Sequence, residues 1–270
     1  MSRFDELVAE GQAAPVEGWD FSWFAGRATE QRPSWGYARL LAGRMATAQA
    51  ALDLQTGGGE VLAEVLTSIP AVPPVLAATE SWPPNLPIAR RNLTAFKAIV
   101  VAVDDTADLP FPPASFELVA SRHPVVTRWD QVHRVLRPGG TYLSQQVGAG
   151  SVRELTDAMM GPQPVHPSRS PMVLVAAAEA AGLEVVDLRQ EALRMEFFDI
   201  AAVIAFLRKV VWTVPGFSVV AYRDRLARLH TFIERHGPFV AYSQRLLIEA
   251  QKTPSPTPTL QMHPGARTGR

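Results

Sequence analysis

Three glycines follow a short apolar run in Ala51-Leu52-Asp53-Leu54-Gln55-Thr56-Gly57-Gly58-Gly59-Glu60. Glycines at the exit of a buried strand let the backbone turn sharply and approach a ligand closely, because no Cβ stands in the way. Asp53 closes the run and is placed to hold that loop or a cationic group of a ligand; with no ligand the same segment is a tight turn. One strand–helix unit later, Glu80 ends Val75-Leu76-Ala77-Ala78-Thr79-Glu80. A carboxylate there can accept from two vicinal ribose hydroxyls, and its coupling to the glycine loop favours that over a solvated strand end. Asp104-Asp105-Thr106-Ala107-Asp108-Leu109-Pro110-Phe111 follows a third apolar run, where acids can accept from an exocyclic amine or make a polar turn. Ser121, Arg122 and His123 leave a fourth run, Phe116 to Ala120, facing the same crevice.

These stations need elements to carry them, and the pattern supplies alternating strands and helices. A helix is expected from about Gly36 to Ala48, then a strand from Ala50 to Leu54 and a helix from Glu60 to Thr67. A strand from Val75 to Thr79, a helix from about Asn85 to Thr94, and strands Ala98 to Val103 and Phe116 to Ala120 follow. Trp129, Val132 and Leu136 mark a helix that stops at Pro138-Gly139-Gly140, before a strand from Thr141 to Val147. Repeated units of this size imply a parallel sheet with helices on both faces. Beyond it lie an Ala-rich helix, Pro171 to Ala181, and a strand from Leu183 to Leu188, with a continuation to Met195 open to it. Helices Asp199 to Trp212 and Val219 to Arg235 are split by Pro215-Gly216, and a last strand runs from Phe239 to Ile248. The two helices read as an insertion before the final strand, natural material for a lid or pocket.

Composition narrows the function classes. Apolar residues are 47% and charged residues 19% of 270, enough for a substantial core. Lys plus Arg and Asp plus Glu are 26 each, so nothing points to nucleic-acid binding by bulk charge. The absence of cysteine removes disulfides, thiol catalysis and thiolate metal sites together. No His/Asp/Glu spacing suggests a metal. The N-terminus does not read as a secretory signal, and the best apolar run, Ile200 to Trp212, is broken by Arg208 and Lys209. A cytoplasmic protein without membrane contact is expected. Residues 253–270 hold four prolines and few large apolar side chains and read as a disordered tail. The first thirty residues have an irregular pattern, yet Trp19, Phe21, Trp23 and Phe24 imply an arm packed on the domain or over a ligand.

In order along the chain stand Leu-Asp-Leu-x-Thr-Gly-Gly-Gly-Glu, Ala-Thr-Glu, Asp-x-x-x-Leu-Pro-Phe, Phe-Glu-Leu-Val and Arg-Val-Leu-Arg-Pro-Gly-Gly. Together they resemble class I S-adenosylmethionine-dependent methyltransferases, closest to the small-molecule-type methyltransferase domain. The resemblance covers about Leu52 to Val147. It implies an α/β, Rossmann-like, doubly wound seven-stranded sheet with its last strand antiparallel. Added to this are an N-terminal helical arm or lid over 1–35 and a methyltransferase domain over 36–252, with the helical insertion at about 197–237. It further implies that Asp53, Thr56, Gly57 and Gly59 surround the amino-acid part of S-adenosylmethionine. Glu80 would take the ribose hydroxyls, Asp105 with Thr106 the adenine end, and Ser121 the methionine end. Gln55 departs from the pattern, standing where the family usually has its first glycine; its side chain either crowds the cofactor or hydrogen-bonds to it.

Methyl transfer mostly requires placement of the acceptor and exclusion of water. His123 is the candidate general base, with a hydrogen bond to the loop before Pro124 as the alternative. Arg122 is the candidate partner of a substrate carboxylate or phosphate, or else a clamp on Asp105 or Glu30. His133 and His230 read as structural, and His166, His236 and His263 fall in loops or the tail. Trp35 and Tyr37 before the first helix, and Trp212 and Phe217 in the insertion, are candidate walls of an aromatic acceptor pocket, or ordinary packing. The expected activity is methyl transfer to a small organic acceptor. The alternatives are an RNA or protein methyltransferase, or a catalytically inactive S-adenosylmethionine-binding protein. A nicotinamide dehydrogenase fits less well, because the glycines lack the G-x-G-x-x-G spacing.

Overall fold

Strand β2, Ala50–Leu54, is buried along its whole length, as a strand must be when helices cover both faces of a parallel sheet. In the computed structural model, which describes residues 2–16 and 21–253, β2 pairs in parallel with β3 (Val75–Glu80) and β5 (Phe116–Arg122). Strand β4 (Ile99–Ala102) extends the parallel set beyond β3, and β6 (Leu136–Val147) extends it beyond β5. Strand β8 (Phe239–Lys252) runs antiparallel to both β6 and β7 (Leu183–Phe197).

The expectation of seven strands is corrected to eight. Ala28–Glu30 in the N-terminal arm forms β1, antiparallel to β7 at the sheet edge, giving the order β1-β7-β8-β6-β5-β2-β3-β4. Two strands, β1 and β8, therefore run against the others, rather than the last one alone. Three residues carry too little pattern to be read as a strand in isolation; β7 supplies the template.

The helices follow the apolar periodicity. Tyr37, Leu41 and Met45 make one buried face of α2 (Tyr37–Met45), packed with α3 (Glu60–Ser68) on one side of the sheet. Helix α4 (Asn85–Leu93) follows β3. Helices α5 (Trp129–Val135) and α7 (Pro171–Ala180) cover the opposite face around Tyr142 and Leu136. A third cluster joins α1 (Arg3–Ala13), α6 (Arg153–Met160), α8 (Ile200–Lys209) and α9 (Val219–His236) against the far ends of β7 and β8. Helices α8 and α9 are the expected insertion. Helix α1 lies where the pattern is irregular; Ser2 and Asp5 form a capping box that starts it. Asp199 and Ser218 cap α8 and α9 by their side chains alone, accepting from Ala202 N and Ala221 N.

Trp19 and residues 254–270 lie outside the described residues, so the expected tail does too, apart from Thr253. No helix among the described residues is long and apolar enough to cross a membrane.

Candidate active site

The strand order reverses between β2 and β5: β3 and β4 lie on one side of β2, while β6 follows β5 on the other. Crossovers leave in opposite directions at such a point, opening a crevice at the carboxyl ends of the two strands. Asp53, the glycine loop, Ser121, Arg122 and His123 all stand there by register, with Asp53 opposite Ala120 and Leu54 opposite Ser121.

The loop is fastened from β3. Thr79 accepts from Thr56 N through its carbonyl at 2.9 Å and from Gln55 N through its hydroxyl at 3.2 Å. The Glu80 carboxylate accepts from Gly57 N at 2.7 Å and Trp82 N at 2.8 Å. Gly57 and Gly59 have φ of 64° and 77°, the left-handed region that glycine enters without penalty. A Cβ on Gly59 would also stand 3.0 Å from Leu93 Cγ. Burial raises the Asp53 pKa to about 7, and the nearby Glu80 adds to the rise. Burial likewise raises Glu80, against the two backbone N–H groups that favour its charge. An acid so placed gains when a cation arrives beside it.

Gln55 adopts φ 55°, which explains why a glycine is usual at its position: a side chain here costs about 1 kcal/mol or more. Its amide reaches across the crevice, accepting from Val125 N at 2.6 Å and donating to Val126 O at 2.7 Å. With Thr79, Asp105, Val126 and Arg128 it lines a narrow cleft. Asp104 accepts from Thr106 N and Oγ1 in a tight turn, so the Thr106 hydroxyl is occupied. Two polar atoms are not: Thr56 Oγ1 and Asp105 Oδ1 are buried with no hydrogen-bonding partner among the described residues. A buried polar atom without a partner costs about 1–3 kcal/mol, and here both belong to stations of the crevice, on either side of Gln55.

Ser121 is corrected. Its hydroxyl is fully buried and shared with Tyr142 and Ser144, both at 2.8 Å. What it presents toward the arm is its carbonyl, which accepts from the Tyr37 hydroxyl at 3.0 Å.

The arm crosses the sheet on the side of α2, bonding to one strand after another. Glu30 accepts from Ser243 Oγ at 2.5 Å and from Arg245 at 2.7 Å on β8, Gln31 pairs with the Arg194 backbone on β7, and Ser34 donates to Glu191. Trp35 Nε1 then donates to Gln145 Oε1 on β6 at 2.8 Å. Trp35 and Tyr37 are buried, with their polar atoms turned into the protein. Arg245, not Arg122, is the clamp on Glu30.

His123 has φ 55°, and Gln145 Nε2 lies 3.1 Å from its Nε2. Burial first, then Arg122 and Arg245, hold its pKa well below the usual histidine value. Gln55 and His123 are thus left-handed residues tied to one loop, a concentration of strain typical of functional sites.

Phe217 does not join the other aromatics. It packs with Tyr222, ring centroids 5.6 Å apart, in the helical cluster, while Trp35 and Tyr37 belong to the cluster under α2. Trp212 is exposed. His230 stacks on Phe4 between α9 and α1. Sequence reading missed Thr79, Gln145 and Arg245. Thr79 was open to notice as a hydroxyl beside Glu80; Gln145 and Arg245 gain meaning only from strands that lie beside them in space.

A family model described as a methyltransferase domain matches residues 52–144, the span from β2 through β6 that carries the loop and the acids. No curated protein matches the chain by sequence. Among solved structures, a Deinococcus radiodurans protein of unknown function is 14% identical with a TM-score of 0.56, over 92% of this chain and 98% of the other. The Bacillus subtilis YcgJ protein is 17% identical with a TM-score of 0.55, over 81% and 99%. A Bacillus halodurans protein described as a candidate methyltransferase is 16% identical with a TM-score of 0.53, over 80% and 98%. These likenesses establish a shared fold. The match over residues 52–144 identifies an S-adenosylmethionine-dependent methyltransferase domain, and the glycine loop at the switch point lies within it.

Proposed function

We propose that the chain methylates a small organic acceptor bound between the glycine loop and the crossing segment 30–37. The observation that carries this reading is the pair of unpartnered buried atoms, Thr56 Oγ1 and Asp105 Oδ1, flanking a glycine cradle. The residues fit S-adenosylmethionine. Asp53, Thr56, Gly57 and Gly59 would hold its amino-acid part, Asp105 its adenine amine, and Glu80 its ribose. Each Glu80 oxygen accepts one backbone N–H, with the Asn85 side chain also against the carboxylate, and its further acceptor capacity would serve a ribose hydroxyl. Gln55 would border the adenosine, and Thr106 would hold the turn that aims Asp105.

When bound, the cofactor would supply an electrophilic methyl carried on a sulfonium sulfur. The chain's own contribution is placement. The arm, sewn to β7, β8, β6 and β5, covers the carboxyl ends of the strands and keeps water out, and proximity of this kind is worth up to ~7–11 kcal/mol. We read residues 1–35 as that cover and 36–252 as the transfer domain, with Arg122 directed to the acceptor. Trp35 and Tyr37 support the acceptor side as a packed wall, and Trp212 and Phe217 lie with the insertion as its outer margin.

Calorimetric titration with S-adenosylhomocysteine, with NAD in parallel, tests the reading. Micromolar binding of the first and none of the second is expected. Tight NAD binding, or no binding of either, overturns it.

A further inference from the structure

Trp35, Gln145 and His123 form a directed chain of hydrogen bonds. An indole N–H can only donate, so the Gln145 oxygen faces Trp35 at 2.8 Å and its amide NH2 faces the imidazole at 3.1 Å. The contact at His123 Nε2 is therefore an N–H donating to the ring's lone pair, and the single ring proton sits on Nδ1. Trp35 is 2% exposed and Gln145 4%, so neither amide nor indole has room to turn over. A second proton on the ring would set donor against donor at Nε2. The charges facing the ring act in the same direction: Arg122 from its own strand and Arg245 from β8 are cations, and Glu30 of the arm is already taken by Arg245 and Ser243. His123 is thus a donor at Nδ1, not the proton acceptor expected from its residue type. Beside it, Arg122 makes no ion pair or hydrogen bond among the described residues, although it lies within electrostatic reach of Asp53, His123 and Arg245.

We propose that Trp35 and Gln145 fix His123 as an Nδ1–H donor, and that His123 and Arg122 together bind a carboxylate or phosphate carried by the methyl acceptor. This rests on the methyl-transfer reading above for the identity of the ligand, but not for the state of the ring. One fixed neutral donor beside one unclaimed guanidinium is the arrangement that recognises an oxyanion. It also excludes general-base catalysis by His123, so an acceptor used here must be nucleophilic without it. Trp35 and Gln145 are positioning residues; they act on the acceptor only through the ring.

The ring state is read by nitrogen NMR of the full chain with labelled histidine. Wild type is expected to show His123 protonated at Nδ1 and still neutral well below the pH at which a histidine ordinarily titrates. Glu in place of Gln145 accepts from both neighbours, so Gln145→Glu should move the proton to Nε2 and bring the ring's titration up toward neutrality. Trp35→Phe, which frees the amide to rotate, should give a mixture of tautomers and serves if the first variant fails to fold. An Nε2–H ring in wild type, or a tautomer unmoved by both variants, overturns the proposal.

The anion is read on protein saturated with S-adenosylhomocysteine, titrated separately with inorganic phosphate and with benzoate. One of the two should shift the His123 resonances saturably, which also decides between phosphate and carboxylate, and Arg122→Gln should weaken that binding about tenfold. No shift from either anion overturns the proposal. So does a comparable loss of S-adenosylhomocysteine binding in Arg122→Gln, which would assign the arginine to the cofactor's own carboxylate. Failure of S-adenosylhomocysteine to bind wild type would overturn the methyltransferase reading instead, and leaves the ring measurement valid.

Discussion

The half of the sheet from β2 to β5 and the half from β6 to β8 with the arm meet at one crevice but are built differently. On the first side, the functional groups sit at the ends of consecutive strands and are held by near neighbours: Glu80 binds Gly57 across 23 positions and Gln55 binds Val125 across 70. On the second, the contacts span the chain: Trp35 reaches Gln145 across 110 positions and Glu30 reaches Arg245 across 215. The first half is a repeated strand–turn–helix device, legible from motif spacing. The second exists only once the arm has been laid across the finished sheet. The difference teaches that the proposed cofactor and acceptor sides rest on separable supports.

Glu80→Ala makes the largest break expected on the cofactor side. It strands the Gly57 and Trp82 N–H groups and removes the ribose acceptor, lowering S-adenosylhomocysteine affinity about a hundredfold or more and stability by roughly 1–3 kcal/mol. Calorimetry and thermal melting measure the two effects; wild-type affinity would show that the acid serves the loop alone.

Asp53 gives the next effect, seen in pH. Its folded-state pKa near 7 lies above the unfolded value of 3.8, so the native state binds the extra proton between them. This contribution is therefore present at low pH and lost as pH rises through 7, with a slope of up to about 1.4 kcal/mol per unit. Asp53→Asn should flatten that slope in apo melting curves, and S-adenosylmethionine binding should strengthen as wild-type Asp53 ionises. An unchanged slope in the variant would place the titration elsewhere.

Gly59→Ala should cost about 1–3 kcal/mol through its positive φ and the approach to Leu93, with most of the change in stability. Gln55→Gly sharpens the comparison further. It removes the bridge across the crevice within the first half while relieving a left-handed side chain, so net stability should change by about 1 kcal/mol or less. Amide exchange of residues 125–126 should nevertheless accelerate. Unaltered exchange would mean that the bridge does not hold that loop.

Trp212→Ala is expected to have the smallest effect, leaving S-adenosylhomocysteine affinity within about twofold, as for other exposed substitutions. A larger loss would bring the insertion into the cofactor site and erase the distinction between the two halves.

Much of the parallel half was legible because its signals are local. A buried strand ending in glycines, and acids at the next two strand ends, are written in contiguous residues, and the predicted bounds of β2 and α3 agree with the structure to within a residue. Helix α6 and strand β1 were missed: Arg153–Met160 ends on Gly161-Pro162 but starts at Val152 with no capping side chain, and Ala28–Glu30 is a strand only because β7 pairs with it. Ser121 was legible as a station but not in its direction, since alternation along β5 is settled by which face Tyr142 and Ser144 occupy.

By itself the sequence determined the alternating architecture, the position of the glycine loop and the acids at the next strand ends, because periodicity and glycine placement act within a few residues. Tertiary structure alone decided the hydrogen-bond partner of His123, the partner of Glu30 and the separation of Phe217 from Trp35. A side chain's proton and its pairing depend on whichever groups the fold brings within about 3 Å, and that distance has no counterpart in sequence spacing.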